Sequence, residues 1–537
     1  MKKIDAAFDY FQQNSTRYYL VLVAMALTLF AIIFSNAGFL PLKTVGDFTF
    51  LVILGLALAL YRPSWTFAFL IGSLVLENVG LAPELFHFTL RPYQFFSIVV
   101  ILALMFQIVN RNNFLKLPNF GFADLAVGVF VFAGFLSSFA AQEKSLAFKQ
   151  SIIAASFAAL YFLVRVYLQK LEDLKKIAPF FLATSLVSIF YAIWQNVRFS
   201  KGAVSYEAML GRPNATFAEA DWLGMFLAFL MSVTFAIIYY LNKKNNSSKH
   251  IIFNEFSILK LLNYIFLVLI LIALILTVSR SAWLGGIIVT LGFLKASLLD
   301  GSWKFSNWKW KSMFVEAGSV GTAFFVSILA VYLFGLTNFQ LGGRVASAGG
   351  MQKITIACPA DLDYVIPQNI KNLDEIKPCR HINLEDIEKE KSLGNVIEEV
   401  YRPDPNVGIR AKIYRVALEQ IKAHPIFGIG WGNIGRMLGI DERGSALNAS
   451  NILLESWLGA GLLGFLSIVF LLAYLLFSGI RGIVEKENEV ASIFVLLGLF
   501  AIMVPNLFNS GIFLGFVWAF LAVSVSLMQQ NKSVIIK

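Results

Sequence analysis

The chain has 537 residues, of which 58% are hydrophobic and only 14% are charged, and its mean hydropathy is +0.71. A soluble globular protein carries roughly 25% charged residues, so the composition excludes that class and predicts a polytopic membrane protein. The formal net charge is +11, but residues 339–449 hold 14 basic and 14 acidic residues, which leaves 30 basic against 19 acidic residues elsewhere. The positive-inside rule produces such a distribution, and it argues against nucleic-acid binding.

Apolar runs long enough to cross a bilayer predict an all-α membrane fold with about fourteen transmembrane helices. Transmembrane helices 1–11 would occupy residues 1–338 and helices 12–14 residues 451–537, separated by a large polar loop at 339–450. The runs are 18–38, 46–61, 64–80, 92–109, 122–141, 147–169, 176–198, 218–241, 259–279, 281–299, 314–338, 452–479, 489–508 and 511–530.

The basic residues also predict an orientation. With the N-terminus inside, the cytoplasmic segments hold 22 Lys and Arg residues, whereas the short outer loops hold 8. That asymmetry predicts cytoplasmic N- and C-termini and an extracytoplasmic large loop. It also places Arg91, Arg212 and Arg280 at the outer face.

Within the large loop, residues 345–405 are rich in proline and show no apolar periodicity, so they are predicted to be irregular or partly mobile. Cys358 and Cys379 are the only cysteines. They either remain two unpaired thiols or form a disulfide, which would stabilise the fold by about 3 kcal/mol in the chain-entropy model. No spacing of His and Cys residues suggests a metal site.

Residues 409–423 predict an amphipathic helix that lies near the membrane surface. One helical face carries its apolar residues, and Pro425 ends the helix. Arg410 lies on or beside that face, which leaves a solvated surface arginine as the plain alternative. The apolar residues of the face are Ile409, Ile413, Val416, Ala417 and Ile421.

Three outer arginines are candidates for function. Arg280 lies between two apolar spans, and a charge at membrane depth usually marks a function; the alternative is an arginine that snorkels to the interface. Arg212 precedes Glu219 and Asp221 and could simply pair with one of them. Arg91 opens a span and is the weakest of the three.

Several guanidinium groups at one face would suit a phosphate or pyrophosphate, because arginine binds phosphoryl oxygens through two nitrogens and does not deprotonate. A glycan on a polyprenyl pyrophosphate carrier has such a head at the interface. Fixed positive charge stabilises the departing pyrophosphate, and the remaining requirement is a base for the acceptor hydroxyl. His424 is a further candidate, although its position at a helix end suits capping.

Four motifs together resemble the O-antigen ligase/polymerase family over roughly residues 205–470. They are Gly211–Phe217 (GRPNATF), Ser279–Trp283 (SRSAW), Arg410 and Tyr414 leading into His424–Gly430 (HPIFGIG), and Asn451–Glu455 (NILLE) before Gly461–Gly464 (GLLG). The resemblance implies a GT-C-like, metal-independent glycosyltransferase without a cofactor, in the bacterial plasma membrane. It would transfer a glycan from undecaprenyl pyrophosphate to an acceptor glycan or lipid at the outer face. Arg212 and Arg280 would grip the pyrophosphate.

One position departs from the family pattern. Ligases of this family typically carry a histidine, the presumed base, directly before the asparagine of the Asn451–Glu455 motif, and this chain has Ser450 there. The departure favours a polymerase or another polysaccharide-assembly enzyme over a ligase. Glu455 is then the leading candidate for the base, because it lies five residues on at the outer interface.

Glu219 and Asp221 are the other candidates for the base. Arg91, Arg410, Asn451 and His424 complete the predicted substrate-binding residues, besides Arg212 and Arg280. Two other classes of function remain open at this point. The first is a transporter or flippase for the same lipid-linked glycan, and the second is a non-catalytic scaffold in an assembly complex. The polar residues gather at the outer face and not in broken mid-membrane helices, which argues mildly against a transporter.

Overall fold

The computed structural model describes residues 14–109, 117–247, 255–299, 306, 308–336, 351–360, 366–371, 373–382, 387–403, 405–439, 447–486 and 488–529. The protein is mostly helical. The helices before the loop are α1 (Asn14–Asn36), α2 (Val45–Tyr61), α3 (Pro63–Gly72), α4 (Pro92–Val109), α5 (Phe122–Ala140), α6 (Lys144–Tyr167), α7 (Leu171–Ser200), α8 (Ala220–Ser247), α9 (Glu255–Leu276), α10 (Arg280–Leu299) and α11 (Trp310–Leu333).

The loop region contains both strands and helices, and three apolar helices follow it. Its elements are β1 (Met351–Cys358), β2 (Arg380–Ile382), α12 (Ile387–Ser392), β3 (Val396–Pro403), α13 (Pro405–Ala423) and α14 (Ile434–Leu438). The last three helices are α15 (Ile452–Val484), α16 (Glu489–Asn506) and α17 (Gly515–Gln529).

Each of the fourteen predicted apolar runs coincides with a helix. Over the described ranges, 11 helices are long and apolar enough to cross a membrane, whereas α2, α3 with its following 3-10 turn, and α17 are shorter. The predicted third span, 64–80, ends early, since α3 ends at Gly72 and its 3-10 turn at Val75. Beyond this turn, the amide of Asn78 donates a hydrogen bond of 2.7 Å to the carbonyl of Thr216. Fourteen membrane crossings therefore remain a prediction.

The expectation that 345–405 is irregular was wrong for its described part, and the all-α prediction needs the same correction. β1 lies in the centre of an antiparallel sheet of order β2-β1-β3, with Ile356 opposite His381 on one side and Glu398 on the other. Ile354, Thr355, Ile356, Ala357 and Cys358 are all buried, so this part of β1 is covered on both faces. Residues 345–350 lie outside the described part.

The loop sheet is tied to its flanking segment by a disulfide. Cys358 and Cys379 are bonded, with their Cα atoms 4.2 Å apart, which confirms the pairing alternative. Both cysteines are buried in a small apolar cluster with Ile370 and Ile376. The cluster is the core of this region.

The predicted helix at 409–423 is present as α13, which begins four residues earlier than expected, and its location near the membrane surface stays a prediction. Ile413, Ala417 and Ile421 are buried, as a single inward face requires. Ile409 differs from the expectation, since 42% of its surface is exposed.

The helix α15 is broken at Gly461, whose φ of 64° and ψ of −167° are accessible essentially to glycine alone. The loop after α13 fills the break: Ile429 and Gly430 donate backbone hydrogen bonds of 2.8 and 3.1 Å to the carbonyl of Leu458. In return, the amide of Leu462 donates to the carbonyl of Ile426 at 2.9 Å. The HPIFGIG segment thus satisfies the backbone groups that the break exposes, as a bilayer demands.

A buried ion pair joins three helices at one end of the bundle. The Nε and Nη2 atoms of Arg165 in α6 donate to the Asp124 carboxylate in α5 at 2.8 and 3.1 Å. Its Nη1 atom donates to the Ser526 hydroxyl in α17 at 2.8 Å. Each charge is paired and hydrogen-bonded, which is the condition under which buried charges are tolerated.

Candidate active site

The turn between α9 and α10 presents Arg280 as the first residue of α10. Thr277 and Ser279 are fully buried in this turn, and Val278 has a φ of 52°. The indole Nε1 of Trp283 donates a hydrogen bond of 2.9 Å to the carbonyl of Leu274, which joins the two helices across the turn. Arg280 is therefore half-buried at a rigid helix junction.

Arg212 connects this turn to the start of α8. It is buried, its Nε atom donates to the carbonyl of Thr277 at 3.0 Å, and its Nη2 atom donates to Oδ1 of Asp221 at 3.1 Å. The Ser279 hydroxyl also hydrogen-bonds to the Asp221 carboxylate. The structure thus brings Arg212, Asp221 and the turn that carries Arg280 into one cluster.

The helix α13 adds a third arginine to the cluster. Arg410 lies near enough to Asp221 to interact electrostatically with its carboxylate. Tyr414, one turn further along α13, donates to the carbonyls of Ser450 and Leu507 at 3.3 and 3.2 Å. Partial burial raises the pKa of Tyr414, an effect that the charge of Arg410 opposes, so the phenol remains a donor at neutral pH.

The start of α15 is fixed by its own side chains. The Asn451 Oδ1 atom caps the helix by accepting hydrogen bonds from the amides of Leu453 and Leu454 at 2.9 and 3.3 Å. The buried Glu455 accepts a bond of 2.6 Å from the amide of Ala449 at Oε2. Ser450, between Ala449 and Asn451 in the chain, has a φ of 50°, in the left-handed region.

Glu219 lies directly before α8, two residues from Asp221. It is half-buried, and its carbonyl accepts the backbone hydrogen bond of Leu223 at 3.2 Å. It therefore belongs to the same end of the bundle as Arg212 and Arg280. Its position keeps it among the predicted candidates for the base.

Arg91 lies among a different set of partners. Its Nη1 atom donates to Tyr93 Oη and to the carbonyl of Phe513 at 2.9 and 3.1 Å, and it lies 3.3 Å from the buried Glu77 carboxylate. This arrangement joins α4 to the segment before α17. It favours a structural role for Arg91 over a role in substrate binding.

His424 directly follows the last residue of α13, and its side chain is exposed. It is 14 residues from Arg410, which corresponds to about 21 Å along a helix. Its amide donates to the carbonyl of Gln420 at 2.9 Å, and its carbonyl accepts from Gly428 at 2.9 Å. The position suits the capping alternative.

A comparison with protein-family models gives a match over residues 265–469, to the model described as O-antigen ligase. Residues 265–469 therefore resemble the O-antigen ligase family, and we call this range the O-antigen ligase domain. A search of curated proteins finds no match.

The O-antigen ligase domain includes part of the cluster and excludes the rest. The matched range begins within α9 and ends within α15, so it contains Arg280, Arg410, Ser450 and Glu455. Arg212 lies before it and nevertheless hydrogen-bonds into it through Thr277. The fold thus completes the O-antigen ligase domain with residues from α8 and the loop that precedes it.

Two polar groups beside the O-antigen ligase domain were not identified from the sequence. Over the described residues, the Trp222 Nε1 and Ser510 Oγ atoms are buried and have no hydrogen-bond partner. Ser510 lies in the turn between α16 and α17, where the Gly511 amide donates to Asn506 Oδ1 at 2.7 Å. Asn506 Nδ2 lies 3.1 Å from the sulfur of Met225, one helical turn beyond Trp222. In the sequence, Asn506, Asn509 and Ser510 mark a turn between two apolar spans, but nothing there shows that Ser510 is the one left without a partner.

The cluster and the turn beside it carry three arginines, Arg212, Arg280 and Arg410, against the two carboxylates Glu219 and Asp221. Such an excess of positive charge, partly removed from water, attracts a phosphoryl group more strongly than surface arginines do. In the part of the chain that the structure describes, no three His, Cys, Asp or Glu side chains are grouped as metal ligands would be.

Proposed function

We propose that the protein transfers a glycan from undecaprenyl pyrophosphate to an acceptor hydroxyl at the outer face of the bacterial plasma membrane, as a polymerase or a ligase. The single observation that carries the proposal is the gathering of Arg212 and Arg410 around Asp221, directly beside the turn that presents Arg280. The O-antigen ligase domain supports a membrane enzyme that processes glycans.

In the proposed reaction, the arginines hold the pyrophosphate before and after the bond to the sugar breaks. The acceptor oxygen forms a bond to the anomeric carbon, and the electron pair of the breaking carbon–oxygen bond passes to the pyrophosphate. Guanidinium groups that are already positioned stabilise this developing charge without rearrangement. Arg212 is held in place before the reaction, since Thr277 and Asp221 fix its orientation.

The acceptor hydroxyl must lose its proton in the same step, and we assign this proton to Glu455. The Oε2 atom of Glu455 holds the amide of Ala449, so Oε1 is the oxygen that would accept the proton. Ser450, in the position of the family histidine, lies between Glu455 and Tyr414. Asp221 is less suited to act as a base because its ion pair with Arg212 stabilises the charged carboxylate.

The test uses purified full-length protein in liposomes with a fluorescent glycan on undecaprenyl pyrophosphate and a glycan acceptor. We expect an elongated or transferred glycan together with release of undecaprenyl pyrophosphate in equal amount. Movement of intact donor between leaflets without cleavage would instead identify a transporter. If folded protein yields no transferred glycan and does not move the donor between leaflets, the result would favour a scaffold.

A further inference from the structure

A cavity lies at the end of the bundle opposite the arginine cluster. It has a volume of about 330 Å³ and is enclosed by residues of α3, α7, α8, α16 and α17. That volume lies within the range of small-molecule sites. α8 runs from Asp221 at the candidate active site to Tyr240 at the cavity, 19 residues or about 28 Å along the helix. The mouth of the cavity is therefore separated from the candidate active site by most of the membrane thickness.

The lining of the cavity is almost entirely apolar. Side chains such as Phe181, Val233, Phe494 and Phe520 form its walls, and Lys175 is the one charged residue among those that line it. Water would find few hydrogen-bond partners on these walls, whereas a hydrocarbon chain has no hydrogen bonds to lose there. The chemistry of the walls thus favours a lipid tail.

Lys175 provides a cation at the mouth of the cavity. Its Nζ atom lies 3.4 Å from the Tyr240 hydroxyl and 4.6 Å from the centre of the Tyr240 ring. Pro179 lies one helical turn further along α7 and has no amide hydrogen, so it cannot donate the usual helical bond to the carbonyl of Lys175. The mouth therefore presents a positioned ammonium group beside an apolar channel.

The charges around the mouth favour an anion. Lys170 lies directly before α7, and Lys176 follows Lys175 in the second turn of the helix. Of the two acidic residues there, Asp173 accepts the amides of Gln169 and Lys170 at 3.3 and 3.1 Å, and Glu172 is exposed. The Asp173 charge is thus engaged by the start of the helix, and the lysines dominate near the membrane surface.

The cavity ends before it reaches the candidate active site. Between Tyr240 at the mouth and Phe229 near the far end, α8 advances by 11 residues, or about 16 Å. Phe516 closes this end, with its ring centre 5.2 Å from that of Phe226 and 5.5 Å from that of Phe229. The aromatic layer separates the cavity from the Arg212 loop.

We propose that this cavity binds a membrane lipid, with an acyl or isoprenoid tail between α7, α8 and α17 and an anionic phosphate headgroup at Lys175. The depth and the apolar walls of the cavity match the tail of such a lipid, and the basic mouth matches its anionic headgroup. The site would be occupied from the leaflet opposite the proposed transfer reaction, and its occupancy does not depend on that reaction.

Photolabelling of the full-length protein in liposomes tests the proposal. The probes are phosphatidylglycerol with a diazirine in its acyl chain, a photoreactive polyprenyl phosphate, and a phosphatidylcholine diazirine as the zwitterionic reference. We expect one or both anionic probes to label residues of the cavity wall, and the stronger of the two identifies the tail. Ala178→Trp fills the cavity and should abolish this labelling, whereas Ala57→Trp, on the exposed face of α2, should not.

The headgroup is tested separately at the mouth, where a substitution at an exposed lysine leaves the packing intact. Lys175→Gln should lower labelling by the anionic probes about fivefold, with labelling by phosphatidylcholine unchanged. Lys170→Gln lies at the same membrane face but does not line the cavity, and should have a smaller effect. Wild-type protein without labelled wall residues, or equal labelling in Ala178→Trp and Ala57→Trp, would overturn the site. Unchanged anionic labelling in Lys175→Gln would overturn the headgroup assignment.

Discussion

The Nε atom of Arg212 donates a hydrogen bond of 3.0 Å to the carbonyl oxygen of Thr277, across 65 residues of sequence. The bond fixes a loop outside the matched O-antigen ligase domain to the turn that presents Arg280. Because Arg212 also pairs with Asp221, its guanidinium is held from two sides before any substrate arrives. Preorganised charge of this kind is what a departing pyrophosphate requires.

Replacement of Arg280 tests the role of the cluster. Arg280→Ala should lower the transfer rate by about 10²–10³-fold. Arg280→Lys keeps the charge but loses the planar fork, and should lower it at least about tenfold. The measurement is glycan transfer in liposomes, with insertion checked by resistance of the protein to alkaline extraction from the membrane. Arg436→Lys is the matched control, since that side chain is 62% exposed and pairs with Glu143. Near-normal transfer in both Arg280 variants would reduce Arg280 to an interfacial anchor.

The identity of the base is tested at the start of α15. Glu455→Gln removes the proton acceptor and should lower transfer by about 10²–10⁴-fold. Ser450→Ala should have little effect, because serine alone is not a base at neutral pH. Full activity in Glu455→Gln together with an inactive Ser450→Ala would contradict the assignment. Ser450→His should restore part of the activity in the Glu455→Gln background if the two positions fill one role.

The orientation in the membrane can be determined with reporters. A reporter inserted after Gly394, in the turn before β3, should be active only outside, and one inserted after Asn246, in the last turn of α8, only inside. The physical reason is the excess of lysine and arginine in the segments assigned to the cytoplasm. Two reporters on the same side would rule out the predicted topology.

Substitution of Gly461 should destabilise the protein. An alanine there would occupy a backbone region that costs about 1–3 kcal/mol for other residues. Its Cβ atom would also lie 2.2 Å from the carbonyl oxygen of Ile426. We expect Gly461→Ala to lower the midpoint of thermal unfolding in detergent. Gly128→Ala on α5, where the new Cβ meets nothing within 4 Å, is the control and should leave the midpoint unchanged or raised. Equal midpoints would argue against a rigid break.

Removal of the disulfide should act on the loop region alone. Cys358→Ser with Cys379→Ser removes a cross-link worth about 3 kcal/mol in the chain-entropy model, so the sheet should become sensitive to protease while the helices remain protected. Limited proteolysis followed by mass spectrometry of the fragments measures this. Cuts within the membrane helices at the same protease concentration would indicate that the two parts unfold together.

Hydropathy was sufficient to predict the helices, because each apolar span consists of about twenty consecutive, mostly hydrophobic residues. It failed where the signal is short, because the largely apolar stretch 354–358 covers five residues and is followed at once by a proline. The candidate site shows the same contrast. Arg212 and Arg280 stand out as charges beside apolar spans, and Arg410 stands out beside the apolar face of an amphipathic helix. Ser510 becomes informative only once α16 and α17 pack against α8. Long-range packing determines which arginines lie together and why Arg91 pairs with Glu77. Local sequence does not encode that packing.

The break in α15 also constrains how the protein is made. Residues 426–430 leave the ribosome before Gly461 does, yet the carbonyl of Leu458 and the amide of Leu462 find their partners only in that earlier segment. Unpaired backbone groups in hydrocarbon are too costly for α15 to settle alone in lipid. Residues 426–430 must therefore already lie beside the bilayer when α15 inserts. The last three helices can complete the bundle only after the loop domain has emerged from the ribosome.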